Sequence, residues 1–282
     1  MKEVKVLYSK IENMGDLLNE LIIEDVFGYK IVNSNPLNAH TTGIGSGLNA
    51  VFPPKPTVKR LPKHILKKIY NQFKSPSQLQ IWSSGFINYS NQEHICLRKN
   101  TKVAAVRGEL TRKRLEKILN TKLHVPTGDG GLLASYLVKK PIQKKYSVGI
   151  IPHFKEKDEI RFKTLAESYN NSIVIDLTDD PLKVVETIAE CEVILSSSLH
   201  GLIVADSFGI PNKRVTYTNK LMGDGYKFND YYSAFNVTPV QHFDLNTNGF
   251  PSYNSIIDDY KISKAEVEKK KDELLKSFST FL

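Results

Sequence analysis

The chain has 282 residues, of which 40% are hydrophobic, and a formal net charge of +9. This length fits one large domain or two of ordinary size, and no apolar run approaches the ~18 residues of a membrane-spanning helix. The chain enters a strand at Val4 without a signal-peptide core, so we expect a cytoplasmic protein. Cys96 and Cys191 lack metal-ligand spacing and are expected to be reduced thiols.

The charge is uneven along the chain. Residues 1–145 hold 24 Lys and Arg against 10 Asp and Glu, whereas residues 146–282 hold 15 against 20. Basic residues concentrate between Lys55 and Lys74 and from Arg112 to Arg114. Such a half favours an anionic partner, namely an anionic membrane surface or a diphosphate-linked lipid sugar, unless it is only a solvated basic face. Nucleic acid fits less well, because the basic clusters lack interleaved aromatic residues.

Strand signals alternate with helical patterns along the whole chain. In the first half they predict strands at 4–8, 81–82 and 102–106, and helices at 16–27 and 109–119. The polar stretch 139–145 indicates a linker. The second half predicts strands at 148–151, 173–177 and 193–195, and helices at 181–191, 199–208 and 263–278. This alternation is typical of parallel α/β sheets, whose ligands bind at the carboxyl ends of the strands.

The most informative stretch runs from Ser196 to Pro211, S-S-S-L-H-G-L-I-V-A-D-S-F-G-I-P. A strand, a small-residue turn and a helix follow one another, so backbone N–H groups at the helix N-terminus, 199–203, are left unpaired and favour an anion. His200 lies at that helix start and can donate a hydrogen bond or a proton. The stretch therefore predicts a site for a phosphate-bearing substrate.

The same stretch resembles the signature of the polysaccharide pyruvyl transferases. Further segments also resemble this family, and the resemblance covers roughly residues 4–232. These segments are N-M-G-D-L-L-N at 13–19, V-R-G-E-L-T at 106–111, G-D-G-G-L-L at 128–133 with Gly130 in place of proline, P-H-F at 152–154 and K-F-N-D at 227–230. The resemblance implies transfer of a pyruvyl group from phosphoenolpyruvate to two hydroxyls of a sugar, which forms a cyclic ketal.

The resemblance also implies a fold and an acceptor. We expect an α/β protein with two Rossmann-like domains, 1–140 and 145–245, facing a cleft as in the B-type glycosyltransferase architecture, with a C-terminal helix at 260–282 packed on the first. The acceptor is expected to be a sugar of a capsule or exopolysaccharide precursor, carried on a lipid diphosphate at the inner face of the cell membrane. Phosphoenolpyruvate is a co-substrate, and neither a further cofactor nor a metal is expected.

Site residues follow from these motifs. For catalysis we expect His200 as the proton donor and Asp16 or Asp129 as the base, although either aspartate could instead be a helix cap. The donor-binding residues are expected to be Arg107, which would clamp a carboxylate or phosphate, together with His153, Ser198, Leu199, His200, Gly201 and Lys227. The acceptor-binding residues are expected to be Asn13, Gly15, Asp16, Asn19, Ser84 and Gly85.

Two further positions bear on the donor site. Ser198 stands where some relatives have an arginine, so Arg107, Lys227 or backbone N–H groups would have to hold the donor carboxylate. Arg214 is expected at the surface. Two other functions stay open: a nucleotide-sugar glycosyltransferase of the same fold, and a non-catalytic polyanion-binding protein.

Overall fold

Two parallel β-sheets, one in each half of the chain, carry the loops from which the candidate site is built. The computed structural model describes residues 1–10, 13–55, 77–98, 100–221, 223, 225–237 and 241–278. Most of the basic cluster that follows Lys55, including Lys63, Lys67 and Lys68, lies outside these ranges, so the membrane contact expected there stays a prediction.

The first sheet has the strand order β2-β1-β3-β4-β5, and its paired strands are parallel. Its strands are β1 (Lys2–Leu7), β2 (Tyr29–Asn33), β3 (Thr41–Thr42), β4 (Leu79–Ile81) and β5 (Thr101–Val103). The helices of this half are α1 (Met14–Leu21), α2 (Leu48–Val51) and α3 (Glu109–Leu119). One continuous helix was expected at 16–27, but α1 gives way to a π-helical turn at Ile22–Val26.

The second sheet has the order β10-β9-β8-β6-β7 and is also parallel. Its strands are β6 (Tyr146–Ile151), β7 (Ser172–Val174), β8 (Cys191–Ser196), β9 (Asn212–Thr216) and β10 (Phe243–Asp244). The helices of this half are α4 (Ile160–Glu167), α5 (Pro181–Ala189), α6 (Leu199–Ser207), α7 (Tyr226–Ser233), α8 (Tyr253–Asp259) and α9 (Lys264–Ser277). The register places Ser196, at the end of β8, beside Arg214 of β9.

The two halves share a hydrophobic core. A 3₁₀ segment, Gly130–Leu137, packs against α6, and a Cβ added at Gly131 would lie 2.8 Å from the Ile203 side chain. The C-terminal helix α9 returns to the first half, where Leu274 O accepts a hydrogen bond from Trp82 Nε1 at 3.2 Å. Because the loops of both sheets are fixed against this common core, side chains from both halves are held in place at one site.

The sequence predicted the α/β class with two parallel sheets, and the structure confirms it. β2, β9 and β10 were not predicted. Both cysteines are free thiols, as expected. No helix within the described ranges is long and apolar enough to cross a membrane.

Candidate active site

The turn from β8 into α6 forms the floor of the candidate site. Ser196 Oγ accepts a hydrogen bond from Ser198 N at 2.9 Å and donates one to Ile151 O at 2.9 Å, so this side chain fixes the turn onto β6. Leu199 is buried, and a Cβ added at Gly201 would lie 2.6 Å from Ser196 Oγ. Ser198 N is thus already used within the turn, and Leu199 and Gly201 offer backbone N–H groups at the helix start rather than side chains.

His200 extends from α6 towards the first half and meets α1. A Cβ added at Gly15 would lie 2.0 Å from His200 Nδ1, so only glycine permits this approach. His200 Nε2 is buried without a hydrogen-bond partner among the described residues. Burial, with added repulsion from Lys227 and Arg107, lowers the pKa of His200 to about 3, so the free protein holds it neutral. An orphaned ring nitrogen indicates a place for a ligand.

Asp16 lies in the first turn of α1 and is not the N-cap residue of that helix. Asn13 is the N-cap residue: its Oδ1 accepts from Asp16 N, and its Nδ2 donates to Asp16 Oδ2 at 2.7 Å. Burial raises the pKa of Asp16 to about 6, against the opposing effects of Asn13 and Lys227. The carboxyl group keeps some exposure, so it is free to take a proton from a substrate.

Three residues that were expected to bind the acceptor instead contact neighbouring loops or Arg107. Asn19 is fully buried, and its amide bonds Ile44 through both its oxygen and its nitrogen. Ser84 is also buried and bonds Gly45 O and Gly47 N. A Cβ added at Gly85 would lie 2.4 Å from Arg107 Cζ. The expectation of direct acceptor contact is thus corrected for Asn19 and Ser84, because their polar atoms are already used.

Arg107 does not clamp a donor in this structure. It is fully buried, and its three guanidinium nitrogens donate to Asp230 Oδ2 at 2.9 Å, Ser46 Oγ at 2.9 Å and Phe86 O at 2.5 Å. Asp230 lies on α7 and also accepts from Thr111 N and Thr111 Oγ1. The predicted contact with donor is corrected to a positioning role: Arg107 fixes α7 against the start of α3.

Two other cations, on α7 and β9, form no ion pair with any residue that the structure describes. Lys227 Nζ forms no ion pair or hydrogen bond with a described residue, and burial lowers its pKa to about 8. Arg214 is half-buried rather than on the surface as expected, and its Nε is buried without a described partner. The Phe228 ring lies 3.9 Å from Arg214 Cζ and 5.4 Å from Lys227 Nζ, so the two charges are neighbours.

His153 lies beside these groups in the loop after β6. Its backbone N donates to Ser197 Oγ at 2.9 Å, and its Nδ1 accepts from Lys155 N at 3.2 Å, which leaves the proton of the neutral ring on Nε2. Burial, with repulsion from Lys227, lowers the pKa of His153 to about 4. The loop is fixed by Glu156, a fully buried residue that sequence reasoning missed, whose Oε2 accepts from Ser197 Oγ at 2.6 Å.

Asp129, the alternative base, is fully buried and caps the 3₁₀ segment. Its Oδ1 accepts from Gly131 N at 2.9 Å, and its Oδ2 has no partner within the described ranges. Burial raises its pKa to about 6, with Arg107 opposing the shift. A carboxyl group with no exposed surface does not reach a sugar hydroxyl, so Asp16 is the better placed of the two.

The site thus joins residues of both halves into one positively charged group. Asp16 and Gly15 come from the first half, and His153, His200, Lys227 and Arg214 come from the second. The mutual effects on pKa place Lys227 near Asp16, His153, His200 and Arg214. Half-buried cations that pair with no described carboxylate are suited to an anionic substrate, and the Asp16 carboxyl group lies near Lys227.

Comparisons with known proteins fit this picture. The family model of the polysaccharide pyruvyl transferases matches residues 45–219. An uncharacterized protein of Acanthamoeba polyphaga mimivirus is 31% identical over 182 residues, which are 60% of this chain and 62% of that protein. The match thus spans less than two thirds of this relative.

Among solved structures, an uncharacterized protein from Klebsiella pneumoniae subsp. pneumoniae aligns with a TM-score of 0.47 and 16% identity, over 86% of this chain and 92% of that chain. The family model is the more specific finding, since it spans well over half of the chain and includes Arg107, Asp129, His153 and His200. The chain belongs to the polysaccharide pyruvyl transferase family.

Proposed function

We propose that this protein transfers the pyruvyl group of phosphoenolpyruvate to two hydroxyls of one sugar, forming a cyclic ketal on a surface polysaccharide precursor. One observation carries the proposal beyond the family: Lys227 and Arg214 are half-buried cations that form no ion pair with a described residue, and Lys227 lies near His200 at the start of α6. Phosphoenolpyruvate carries two anionic groups, a phosphate and a carboxylate. A site with several unpaired donors matches a substrate of that kind.

The donor is proposed to bind across these groups. Its phosphate lies at the N–H groups of Leu199 to Gly201 and at His200 Nε2, which has no described partner. Its carboxylate lies at Arg214 and Lys227. Arg214 stands beside Ser196 in the neighbouring strand, so it supplies a guanidinium from β9 where Ser198 supplies none from the turn. His153 donates its Nε2 proton to the same anion.

The reaction releases two hydroxyl protons and adds one proton to C3 of the donor. Asp16 removes a proton from the first sugar hydroxyl, whose oxygen bonds to C2 of the donor while C3 gains a proton. Phosphate then leaves C2, and the second hydroxyl bonds to C2 and loses its proton. One hydroxyl proton thus replaces the proton given to C3, and the other leaves with phosphate. General acid–base catalysis of this kind contributes about 10²–10⁴-fold.

His200 is proposed as the proton donor to C3. It is neutral in the free protein, because burial and the nearby cations lower its pKa. A bound phosphate brings negative charge next to the ring and favours the imidazolium form. His200 therefore becomes an acid only with the donor in place, so its proton is available at the site when C3 is to be protonated.

The acceptor is proposed to be a sugar of a lipid-diphosphate-linked oligosaccharide at the inner membrane face. In this arrangement, as in B-type glycosyltransferases, the acceptor approaches from the first half and the donor from the second. Asp16 on α1 belongs to the acceptor side, and His200 on α6 belongs to the donor side. No further cofactor enters this scheme.

The test is His200→Ala, with His242→Ala as the matched control, since His242 is an exposed histidine outside the site. Both are incubated with phosphoenolpyruvate and a panel of galactose- and mannosamine-containing lipid diphosphates. Phosphate release and a mass gain of one pyruvate less one water are measured. His200→Ala should lower turnover about 10²–10⁴-fold at unchanged circular dichroism, whereas His242→Ala should match the wild type. Wild-type turnover by His200→Ala would exclude the proposed role.

A nucleotide-sugar glycosyltransferase is the second candidate, because a phosphate site at the start of α6 would serve a nucleotide diphosphate equally well. Thermal shift distinguishes the two. Stabilisation by phosphoenolpyruvate supports pyruvyl transfer, whereas stabilisation only by nucleotide sugars would replace it with glycosyl transfer.

A further inference from the structure

A second, separate cavity lies along α3. Its volume is about 700 Å³, which is enough for a small oligosaccharide. Six of its lining residues matter here: Tyr89, Leu110, Lys113, Arg114, Lys117 and Tyr226. Four of these fall at positions i, i+3, i+4 and i+7 of α3 and so share one face of the helix. We call this cavity the α3 pocket.

The α3 pocket carries positive charge that the described residues do not neutralise. Lys113 and Lys117 are exposed and form no ion pair with a described residue. The nearby carboxylates, Glu109 and Glu116, pair with Arg112 instead. Lys55 and Glu93, which also line the pocket, pair with each other at 2.6 Å. The uncompensated charge indicates an anionic ligand.

Arg114 adds a buried donor to this wall. Its Nη1 donates to Asn88 O at 2.8 Å, its Nη2 lies 2.7 Å from His94 Nε2, and its Cζ lies 3.8 Å from the Phe86 ring centroid. Its Nε is buried without a described partner. No carboxylate within the described ranges forms an ion pair with Arg114, so this wall of the pocket also favours an anion.

An aromatic pair gives the pocket a second recognition element. Tyr89 is 60% exposed, which is high for so large a ring, and its centroid lies 6.4 Å from that of Tyr226. Tyrosine presents an apolar face with a polar tip, which suits the C–H face and the hydroxyls of a sugar ring. Ser90, Asn91 and Gln92 line the pocket beside Tyr89 and offer hydroxyl and amide groups. Together these features favour a saccharide over a bare anion.

The α3 pocket adjoins the candidate active site. Tyr226, which lines the pocket, is the residue before Lys227, whose charge acts on Asp16, His153 and His200. Both residues lie in the first turn of α7, which Arg107 holds against α3. A ligand that fills the pocket therefore contacts the same helical turn of α7 that carries Lys227.

We propose that the α3 pocket binds an acidic sugar unit of the acceptor, one that carries a phosphate or a carboxylate, while the hydroxyls to be modified lie at Asp16. That this sugar is part of the acceptor rests on the proposed function, but binding of the sugar to the pocket does not require pyruvyl transfer. Lys113, Lys117 and Arg114 bind the acidic group, and Tyr89 packs on the ring. Specificity for an acidic saccharide would thus be set outside the catalytic residues.

The experiment compares Lys113→Gln/Lys117→Gln with Lys122→Gln, an exposed lysine just beyond α3 that does not line the pocket. Titration calorimetry is run with galactose 1-phosphate, digalacturonate and neutral lactose. We expect the acidic probes to bind the wild type and Lys122→Gln alike and to bind the double variant about tenfold more weakly. The more affected of the two probes identifies phosphate or carboxylate. Tyr89→Ala should weaken both sugars more than it weakens inorganic phosphate.

Three outcomes would overturn the proposal: no acidic probe binds the wild type, the double variant binds as the wild type does, or lysine-dependent binding occurs only with an oligonucleotide or with anionic phosphatidylglycerol vesicles. Titration with phosphoenolpyruvate separates this inference from the proposed function. If acidic sugars bind but phosphoenolpyruvate does not, the assignment of the α3 pocket is supported and the proposed pyruvyl transfer is contradicted. Normal phosphoenolpyruvate binding with no pocket ligand would do the reverse.

Discussion

Arg107 and Arg214 are two arginines that the structure uses in opposite ways. Arg107 lies in the loop after β5 of the first sheet, and Arg214 lies within β9 of the second sheet. Arg107 is fully buried, and each of its three guanidinium nitrogens has a partner, including the carboxylate of Asp230. Arg214 lies on Phe228, and its buried Nε has no described partner.

The difference teaches how to distinguish a structural charge from a binding charge. A buried cation that is paired and hydrogen-bonded has recovered most of its lost hydration, so the fold needs it. A buried cation without partners costs stability and is retained where a ligand completes it. Burial alone does not distinguish a structural cation from a binding cation, whereas the number of its N–H donors that already have hydrogen-bond partners does.

The largest expected effect comes from breaking the paired case. Arg107→Ala leaves Asp230 buried and uncompensated, so the free energy of unfolding should fall by about 3–5 kcal/mol in urea denaturation. Arg112→Ala is the control, because its partners Glu109 and Glu116 are partly exposed, and it should cost less than about 1 kcal/mol. Equal losses in both variants would contradict the assignment of Arg107 to the fold.

Arg214→Met tests the unpaired case. It removes no ion pair with a described residue, so stability should change by no more than the cation–π contact with Phe228, about 1 kcal/mol. Affinity for phosphoenolpyruvate should fall by about tenfold to hundredfold in calorimetry, since charged hydrogen bonds contribute ~1.5–3 kcal/mol. Lys213→Gln, the neighbour whose Nζ pairs with Asp259, should bind the donor normally. An Arg214→Met protein that binds as the wild type does would place the anion elsewhere.

The smallest effect concerns pH. Burial lowers the pKa of Lys227 to about 8, so above that pH the amine loses its charge and the donor loses a partner. Affinity for phosphoenolpyruvate should therefore decline from about pH 8 upwards, by up to about tenfold per pH unit. Lys227→Arg keeps the charge and should abolish the decline. A decline of the same size in Lys227→Arg would assign the titration to another group.

Much of the second half of the site could be predicted from the sequence, because it is local. The strand, turn and helix around His200 occupy consecutive residues, and small residues followed by a helix favour an anion without knowledge of the rest of the fold. The same holds for Gly15 and Asp16, which directly follow the cap residue Asn13. The α/β class was predictable for a similar reason, since alternating periodicities are local signals.

The roles of the charged residues could not be predicted, because their partners are distant in sequence. Asp230 is 123 residues from Arg107, and nothing near Arg107 in the chain signals that pairing. Asp16 and Asp129 both follow a glycine, yet one keeps some exposure and the other has none. Glu156 was missed because an isolated glutamate in a loop carries no pattern. Tertiary packing, not spacing, decides these cases.

The missing side chain of Gly15 has one more consequence. Because the imidazole of His200 occupies the space that a methyl group would fill, its proton affinity depends on how closely the two sheets are apposed. A small rotation of one half against the other would admit water around the ring and return its pKa towards that of a free histidine. Relative motion of the halves would thus set the charge of His200, because the closed form holds the ring neutral and an opened form would let it take up a proton from solvent.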